Sequence, residues 1–320
     1  MSVNHRKMSE QRDWDGKSKG TVFGYRIFMW LLRNLGIRAS YILLYVVALY
    51  YFFFSVKSNK HCYFFFRRIC HYPPLKARLA VYRSYYVFGQ TILDKVAVQS
   101  GIDTHIFTNT FEGRELLYEM SGLNKGAILI SAHIGNWEMA GHFLNKLNTP
   151  VNLIMFDEEH QRIKALLTGS MTERKFRIIA IKPDFSHLFK IHKALQEKEF
   201  ICIHGDRFIS ERPYITEFLG HKAAFPRGPF ELAKRFNVPY MFVFAVKQSR
   251  THYHFIARLP DPAASDSVEA MIEDYLHHVE KIVRAHPEQW FNYFDFWEAG
   301  KKSRVVNHTE KHIAEPEVQA

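Results

Sequence analysis

The segment SAHIGNWEMAGHF, residues 131–143, places a histidine and a glutamate five residues apart, just after an apolar run. On one continuous α-helix, His133 and Glu138 would point about 140° apart and would not meet. They meet only if His133 lies in the loop before a helix and Glu138 lies in the first turn of that helix. Gly135 permits a tight turn and Asn136 is a favoured N-cap residue, so the sequence is compatible with this arrangement.

A His–Glu pair held in this way predicts general base catalysis. An ionised Glu138 would fix the tautomer of the imidazole and stabilise the cation formed when the second ring nitrogen takes a proton. Since no serine or cysteine lies in a nucleophile elbow here, we expect His133 to activate a hydroxyl group of a substrate. On spacing alone, a capped helix whose histidine satisfies a loop carbonyl is an equally good interpretation.

The same segment does not predict a metal site. His133, Glu138 and His142 lack the His-Glu-x-x-His spacing of zinc hydrolases, and neither His204 nor the later histidines supply a recognisable second half. Chance neighbours are expected in a chain with 18 histidines. We therefore expect no metal and no other cofactor.

Short apolar runs alternate with helical stretches from about residue 113 onwards, which is typical of an α/β fold. The runs resemble strands buried on both faces of a sheet and lie at residues 126–132, 151–156, 176–181, 200–205 and 239–246. Helical patterns occupy residues 113–122, 159–170, 185–198 and 228–237, followed by a further strand at 253–259 and an amphipathic helix at 267–287. We predict a mostly parallel central sheet flanked by helices, with the His133 loop beyond the carboxyl end of a strand.

The N-terminal region predicts a hydrophobic helical membrane anchor. Ala39–Val56 is a run of 18 residues without a charge. As a helix this run would be about 27 Å long, close to the thickness of a hydrocarbon core. The preceding segment, residues 21–37, has Arg26 and Arg33 on one helical face and is typical of a helix in the membrane surface. Whether residues 39–56 span or lie in the membrane stays open, and a buried helical hairpin of a soluble protein is the alternative.

Charge favours an anionic partner. The chain has a formal net charge of +11, which attracts nucleic acid, anionic lipids or an acidic carrier protein. Lysines and arginines flank the apolar run on both sides, so they indicate an anionic leaflet but no orientation across it. An uncharged run of spanning length argues against nucleic acid. The three cysteines form no metal or disulfide pattern.

These patterns divide the chain into five segments. Residues 1–20 are expected to be flexible, residues 21–57 to form the anchor helices, and residues 299–320 to form a disordered tail. Residues 58–112 form an amphipathic helical region, whose helical pattern is interrupted at Gly89, and residues 113–298 form the α/β domain.

Several blocks, in order, resemble the late acyltransferases of lipid A synthesis, within the lysophospholipid acyltransferase-like superfamily. SAHIGNWE (131–138) is similar to the His-x4-Asp/Glu block of that superfamily, and HGDRF (204–208) to an Asp at a strand end. Residues 218–246 resemble the Phe-x-Gly region followed by a helix and an apolar strand, and HPEQWF (286–291) resembles the Pro-x-Gln-Trp element. The hydrophobic N-terminus is also usual in the family.

The resemblance implies a membrane-bound O-acyltransferase that uses an acyl thioester, on acyl carrier protein or coenzyme A, and a lipid acceptor. It implies that His133 is the base, that Glu138 is its partner and that Asp206 is a further acid of the site. It also implies that Gly220 and Gly228 shape the acyl pocket. We add Arg207, Lys222 and Arg227 as basic groups that could hold a phosphate or an oxyanion; a solvated surface charge is the alternative for each.

The resemblance also implies a place in the cell, the cytoplasmic side of a bacterial inner membrane. Two segments, FNYFDFW (291–297) and DEEHQRIKALL (157–167), depart from the usual family patterns. An amino-acid lipid or a polyketide-derived membrane pigment is therefore an alternative to a lipid A precursor. A catalytically silent lipid-binding protein and a metal-dependent hydrolase are the alternatives from other classes.

Overall fold

The computed structural model describes residues 22–136, 139, 149–156, 176–182, 184–207 and 212–297. Its helices are α1 (Val22–Phe54), α2 (Val56–Phe64), α3 (Pro74–Gln99), α4 (Arg114–Gly122), α5 (Ser186–Gln196), α6 (Gly228–Phe236) and α7 (Val268–Ala285). Its strands are β1 (Thr108–Glu112), β2 (Ala127–Ser131), β3 (Val151–Phe156), β4 (Phe176–Ile181), β5 (Phe200–His204), β6 (Tyr214–Phe218), β7 (His221–Phe225), β8 (Tyr240–Lys247) and β9 (His252–Arg258).

The central sheet has seven strands in the order β1-β9-β8-β2-β5-β3-β4. Among the described strands of this sheet, the β8–β9 pair is antiparallel and the other neighbouring pairs are parallel. The predicted mostly parallel α/β fold is therefore confirmed. The edge strand β1 and the separate β6–β7 hairpin were not predicted, because their short mixed sequences show no long apolar run.

Apolar side chains pack on both faces of the sheet. One core joins β2, β5 and β8 to α6 and α7 and includes the fully buried rings of Phe230, Phe242 and Tyr275. A second lies between α1, α3 and β9, and a third lies under α4. The predicted helix at 159–170 lies outside the described residues, as do residues 1–21 and 298–320, where the flexible N-terminus and the tail were predicted.

Helix α1 contains one sharp kink. Gly36 has φ 77° and ψ −178°, a backbone conformation open almost only to glycine. A Cβ atom there would lie 2.6 Å from Oδ2 of Asp103, and the same oxygen accepts a hydrogen bond of 2.8 Å from the backbone N–H of Ile37. Asp103 therefore caps the second half of α1 and joins it to the domain.

The second half of α1 lies antiparallel against α3. The ring of Tyr45 stacks on that of Tyr86 at 4.2 Å between centroids, and the contact extends from Tyr41 beside Asp94 to Phe52 beside Tyr82. Gly89 interrupts the apolar pattern of α3 because a side chain at this position would overlap the buried side chain of Leu44 on α1. The break in the pattern thus marks a close approach of two helices.

Candidate active site

Strand register brings His133 and Asp206 together. Ser131 at the end of β2 is paired with His204 at the end of β5 in a parallel ladder. Each candidate residue lies two positions beyond its member of that pair, so both reach the same level above the carboxyl edge of the sheet. This edge is where α/β folds place their sites.

Two hydrogen bonds connect the Asp206 carboxylate to His133. Oδ1 of Asp206 lies 2.7 Å from Nδ1 of His133, and Oδ2 accepts a hydrogen bond of 2.8 Å from the backbone N–H of His133. The Asp206 side chain is 2% exposed and that of His133 is 24% exposed. A carboxylate on Nδ1 makes this nitrogen the donor, so the lone pair on Nε2 is left to accept a proton.

Electrostatics keep Asp206 ionised. Burial opposes ionisation, but the charge and hydrogen bond of His133, with Arg207 and His204, outweigh it and hold the pKa of Asp206 well below its usual range. The carboxylate is therefore negative throughout the range in which an imidazole titrates. It can stabilise an imidazolium at His133 during a proton transfer.

His204 packs its ring against that of His133, with 4.2 Å between centroids. Burial, followed by the nearby His133, lowers the pKa of His204 well below its usual value. A neutral ring in this position adds no positive charge against a protonated His133. No role was predicted for His204, although it lies in the same HGDRF block as Asp206.

The loop that holds His133 is fixed by backbone hydrogen bonds to two other segments. The C-terminal HPEQWF segment contributes the N–H of Phe291, which donates to the His133 carbonyl at 3.2 Å, and the carbonyl of Gln289, which accepts from Gly135 N–H at 2.9 Å. On β8, the carbonyl of Ala245 accepts from Asn136 N–H at 2.8 Å. The Pro-x-Gln-Trp element therefore supports the loop from one side and β8 supports it from the other.

The expected turn at Gly135 is confirmed. Its φ is 64°, and a Cβ atom would overlap the carbonyl oxygen of Ala245, so the backbones of the loop and β8 approach too closely for a side chain. Asn136 begins the next turn, since its carbonyl accepts from Met139 N–H at 3.1 Å. Its side-chain amide donates to the carbonyl of Thr91 on α3 at 2.9 Å.

Arg207 belongs to the neighbourhood of the pair. Its Nη2 donates to the carbonyl of Phe291 at 2.8 Å, and its guanidinium lies 5.6 Å from the ring centroid of Phe294. The positive charge of Arg207 acts on Asp206 and His204. Of the three predicted basic residues, Arg207 is the one whose described contacts place it near His133.

The remaining predicted site residues lie elsewhere or outside the described part of the chain. Gly220 (φ 80°) forms the turn between β6 and β7, with the exposed Lys222 just after it. Arg227 pairs with Glu231 at 3.0 Å and Glu269 at 2.7 Å, immediately before Gly228, the first residue of α6. Within the described residues, no hydrogen bond or ion pair connects Lys222 or Arg227 to His133. Glu138 lies outside the described residues.

A metal ion has one candidate location in the described part of the chain. Ligand atoms of His133, His204 and Asp206 all lie within 4.8 Å of one another. Two imidazoles and a carboxylate suit zinc, whereas both carboxylate oxygens of Asp206 already accept hydrogen bonds from His133. Elemental analysis of the purified protein distinguishes a metal site from a metal-free His133–Asp206 pair.

Replacing Gly135 by alanine should destabilise the protein because the new methyl group meets a backbone oxygen. We expect a loss of about 3 kcal/mol in the free energy of unfolding, from left-handed strain and overlap together. Gly101→Ala is the matched control, since Gly101 has φ 70° with nothing within 4 Å of its Cβ position, and about 1 kcal/mol is expected there. Thermal unfolding in detergent measures both; equal shifts would contradict the close approach.

A family model gives the wider comparison. The model described as bacterial lipid A biosynthesis acyltransferase matches residues 11–297, which include every block on which the resemblance rests. Comparison with curated proteins gives no match. With a match over most of its 320 residues, the chain belongs to the bacterial lipid A biosynthesis acyltransferase family, whose members transfer an acyl group from a donor to a lipid acceptor.

Proposed function

We propose that this protein transfers a fatty acyl group from an acyl thioester to a hydroxyl group of a lipid A precursor-like acceptor, with His133 as the general base. The observation that supports this most is the hydrogen-bonded Asp206–His133 pair, which leaves Nε2 of a partly exposed imidazole as a proton acceptor. The family match supports the reaction class.

The acyl group moves in a single transfer without an acyl-enzyme. The acceptor hydroxyl oxygen attacks the thioester carbonyl carbon while its proton passes to Nε2 of His133. The tetrahedral intermediate then collapses, the C–S bond breaks and the thiolate takes the proton back from the imidazolium. The products are a lipid ester and a free thiol. Arg207, whose charge acts on Asp206, is the predicted cation that we assign to the developing oxyanion.

The orienting role falls to Asp206 in this mechanism, since its carboxylate occupies Nδ1 of His133. The sequence analysis expected Glu138 to bond one of the two imidazole nitrogens and Asp206 to be a further acid of the site. Glu138 lies outside the described residues, so its participation stays a prediction. Both acids can act on one imidazole only if Glu138 approaches from another direction than Nδ1.

An acyl carrier protein is the donor that charge favours. Carrier proteins are acidic, and a chain of net charge +11 attracts them over a long range at low ionic strength. Acyl coenzyme A, also anionic, is the second donor. A transfer assay with each donor at low and at 0.5 M salt distinguishes them, because a carrier protein should lose far more of its rate to salt than coenzyme A does.

His133→Ala should remove the activity. We expect kcat to fall by about 10²- to 10⁴-fold, the usual contribution of a positioned general base. Mass spectrometry of lipids from cells that carry the variant should show the acceptor one fatty acyl unit lighter, as in cells that lack the gene. His192→Ala, at an exposed position on α5, is the control. Full turnover by His133→Ala, or unchanged lipids in the deletion strain, would contradict the proposal and favour a silent lipid-binding protein.

Asp206→Asn should lower the rate and also alter the pH dependence of stability. The carboxylate is ionised because its pKa is held low, and its charge stabilises the imidazolium that forms during the transfer. Without that charge kcat should fall about 10²-fold. The stability that this carboxylate contributes is present above about pH 4 and is lost as the pH falls further.

The matched control for this substitution is Asp266→Asn, which removes an exposed carboxylate. The stability difference between Asp206→Asn and the wild type should therefore narrow as the pH falls below 4, whereas Asp266→Asn should follow the wild type. A wild-type kcat in Asp206→Asn would show that the pair does not operate in catalysis.

We also propose that α1 lies in the surface of the membrane instead of crossing it. Within the described part of the chain, one helical segment, Arg26–Phe54 of α1, is long and apolar enough to cross. It exposes a stripe formed by Ile42, Val46, Leu49 and Phe53. Its second half, however, packs along α3, which has exposed Arg78 and Arg83 and is buried against the domain on its other side. A spanning α1 would pull these charges into the hydrocarbon core.

The position of α1 can be tested with single cysteines. In a variant without the three native cysteines, Arg26→Cys, Lys57→Cys and the control Lys193→Cys should all react with an impermeant thiol reagent in inverted inner-membrane vesicles. None should react from the outer face of spheroplasts until detergent is added. Labelling of Arg26→Cys and Lys57→Cys from opposite sides would establish a spanning helix.

A further inference from the structure

A buried polar cluster lies between α1 and the His133 loop. Its centre is Asp94 on α3, which is 0% exposed. The Asp94 carboxylate accepts hydrogen bonds from the hydroxyl groups of Tyr41 on α1 and Tyr253 on β9, and forms an ion pair with Lys247 at the end of β8. We call these four residues the Asp94 cluster.

The partners of the Asp94 carboxylate come from three different elements, α1, β8 and β9. The hydroxyl oxygen of Tyr41 also lies 3.0 Å from the carbonyl oxygen of Arg250, and Nζ of Lys247 lies 3.1 Å from the Tyr41 hydroxyl. A buried charge pair of this kind needs all its hydrogen bonds, since each missing one leaves a charge poorly compensated. Of the four residues in the Asp94 cluster, Tyr41 is the one that lies on α1.

One connection leads from the cluster to the loop through Gln289. The Gln289 side chain accepts from Lys247 N–H at 2.8 Å and donates to the Lys247 carbonyl at 2.7 Å. Its own backbone carbonyl accepts from Gly135 N–H at 2.9 Å. Gln289 therefore links the backbone of Lys247 to Gly135, which lies two positions after His133.

A second connection leads through Tyr253. Its hydroxyl group donates to Asp94 and accepts from the side-chain amide of Asn136 at 3.3 Å. The two connections meet the loop at Gly135 and Asn136, on adjacent residues. Neither contact involves the imidazole, so the cluster acts on His133 through the backbone that holds it.

From this juxtaposition we propose that the Asp94 cluster makes helix α1 a positioning element for His133, so that α1 is part of the catalytic machinery and more than a tether. Tyr41, Asp94, Lys247 and Gln289 are positioning residues. Displacement of α1 from α3 removes the Tyr41 hydroxyl from the cluster, loosens Lys247 and Tyr253, and releases the loop at two points. Acyl transfer is then coupled to the seating of the apolar helix at the membrane.

The inference rests on the proposed acyl transfer, and Tyr41→Phe tests it with the loss of one oxygen atom. The ring and the apolar character of α1 stay, so membrane association should not change. We expect kcat to fall about two- to thirty-fold, the range of coupling carried by a packed network, with KM for the donor changed less than twofold. Tyr50→Phe is the matched control, because Tyr50 lies on the same helix with 56% exposure, outside the cluster, and it should retain wild-type kcat.

A second variant removes both charges. Asp94→Asn with Lys247→Met leaves no unpaired buried charge, so the protein should fold, yet kcat should fall at least as far as in Tyr41→Phe. Adding Tyr41→Phe to this double variant should cost no further activity, because the hydroxyl has lost its charged partner. Wild-type kcat in Tyr41→Phe, or an undiminished effect of Tyr41→Phe in the double variant, would overturn the proposal.

A measurement independent of turnover separates this inference from the proposed function. The rate at which diethylpyrocarbonate modifies His133, followed by mass spectrometry, should change in Tyr41→Phe and stay at the wild-type value in Tyr50→Phe. If the wild type shows no acyl transfer while this difference persists, the proposed function fails and the positioning role stands. If acyl transfer is present and neither kcat nor modification rate differs, the positioning role fails alone.

Discussion

The alignment of two adjacent parallel strands sets the geometry on which the site depends. β2 and β5 are paired with Ser131 opposite His204, so the residues two positions further on each strand, His133 and Asp206, leave the sheet at the same level. A shift of the register by one residue would turn one of the two side chains to the other face of the sheet. The hydrogen bonds from His133 to both carboxylate oxygens of Asp206 therefore require the packing of the whole sheet, and no local motif can provide them.

A second constraint is that polar groups buried near the site must all be satisfied. Asp206 and Asp94 are both almost fully buried carboxylates, at 2% and 0% exposure, but they are satisfied in different ways. Asp206 has a partly exposed imidazole as its partner and stays negative while that imidazole takes up and releases a proton. Asp94 has a lysine and two tyrosines as partners, all of them buried. The first arrangement suits a reaction, and the second suits a fixed frame around it.

Sequence reasoning found the elements of the site more readily than their connections. The apolar runs predicted β2, β3, β4, β5 and β8 because strands buried on both faces have a strong signal, and the tight turn at Gly135 followed from the residue type. His133 and Asp206 were both identified, yet their pairing was not, because it depends on strand register and strand order. Gln289 was quoted within a family motif without a role, since its function is to bind the backbone of Lys247, over 40 residues away in the chain. The Asp94–Lys247 pair gave no signal, because separated charges at the ends of apolar patterns resemble solvated surface residues.

Helix α3 has contacts with both the apolar helix and the His133 loop. Its Phe88 is 38% exposed and packs against Phe291, whose N–H holds the His133 carbonyl, and its Thr91 holds Asn136. If α1 lies in the membrane surface as proposed, α3, which packs along it, brings the imidazole near the edge of the lipid layer. That location favours a lipid hydroxyl over water as the nucleophile, and it strengthens the attraction between Asp206 and a protonated His133, because charges interact more strongly where the dielectric is low. The same helix pair would then determine both which alcohol reaches the base and how well the base is held.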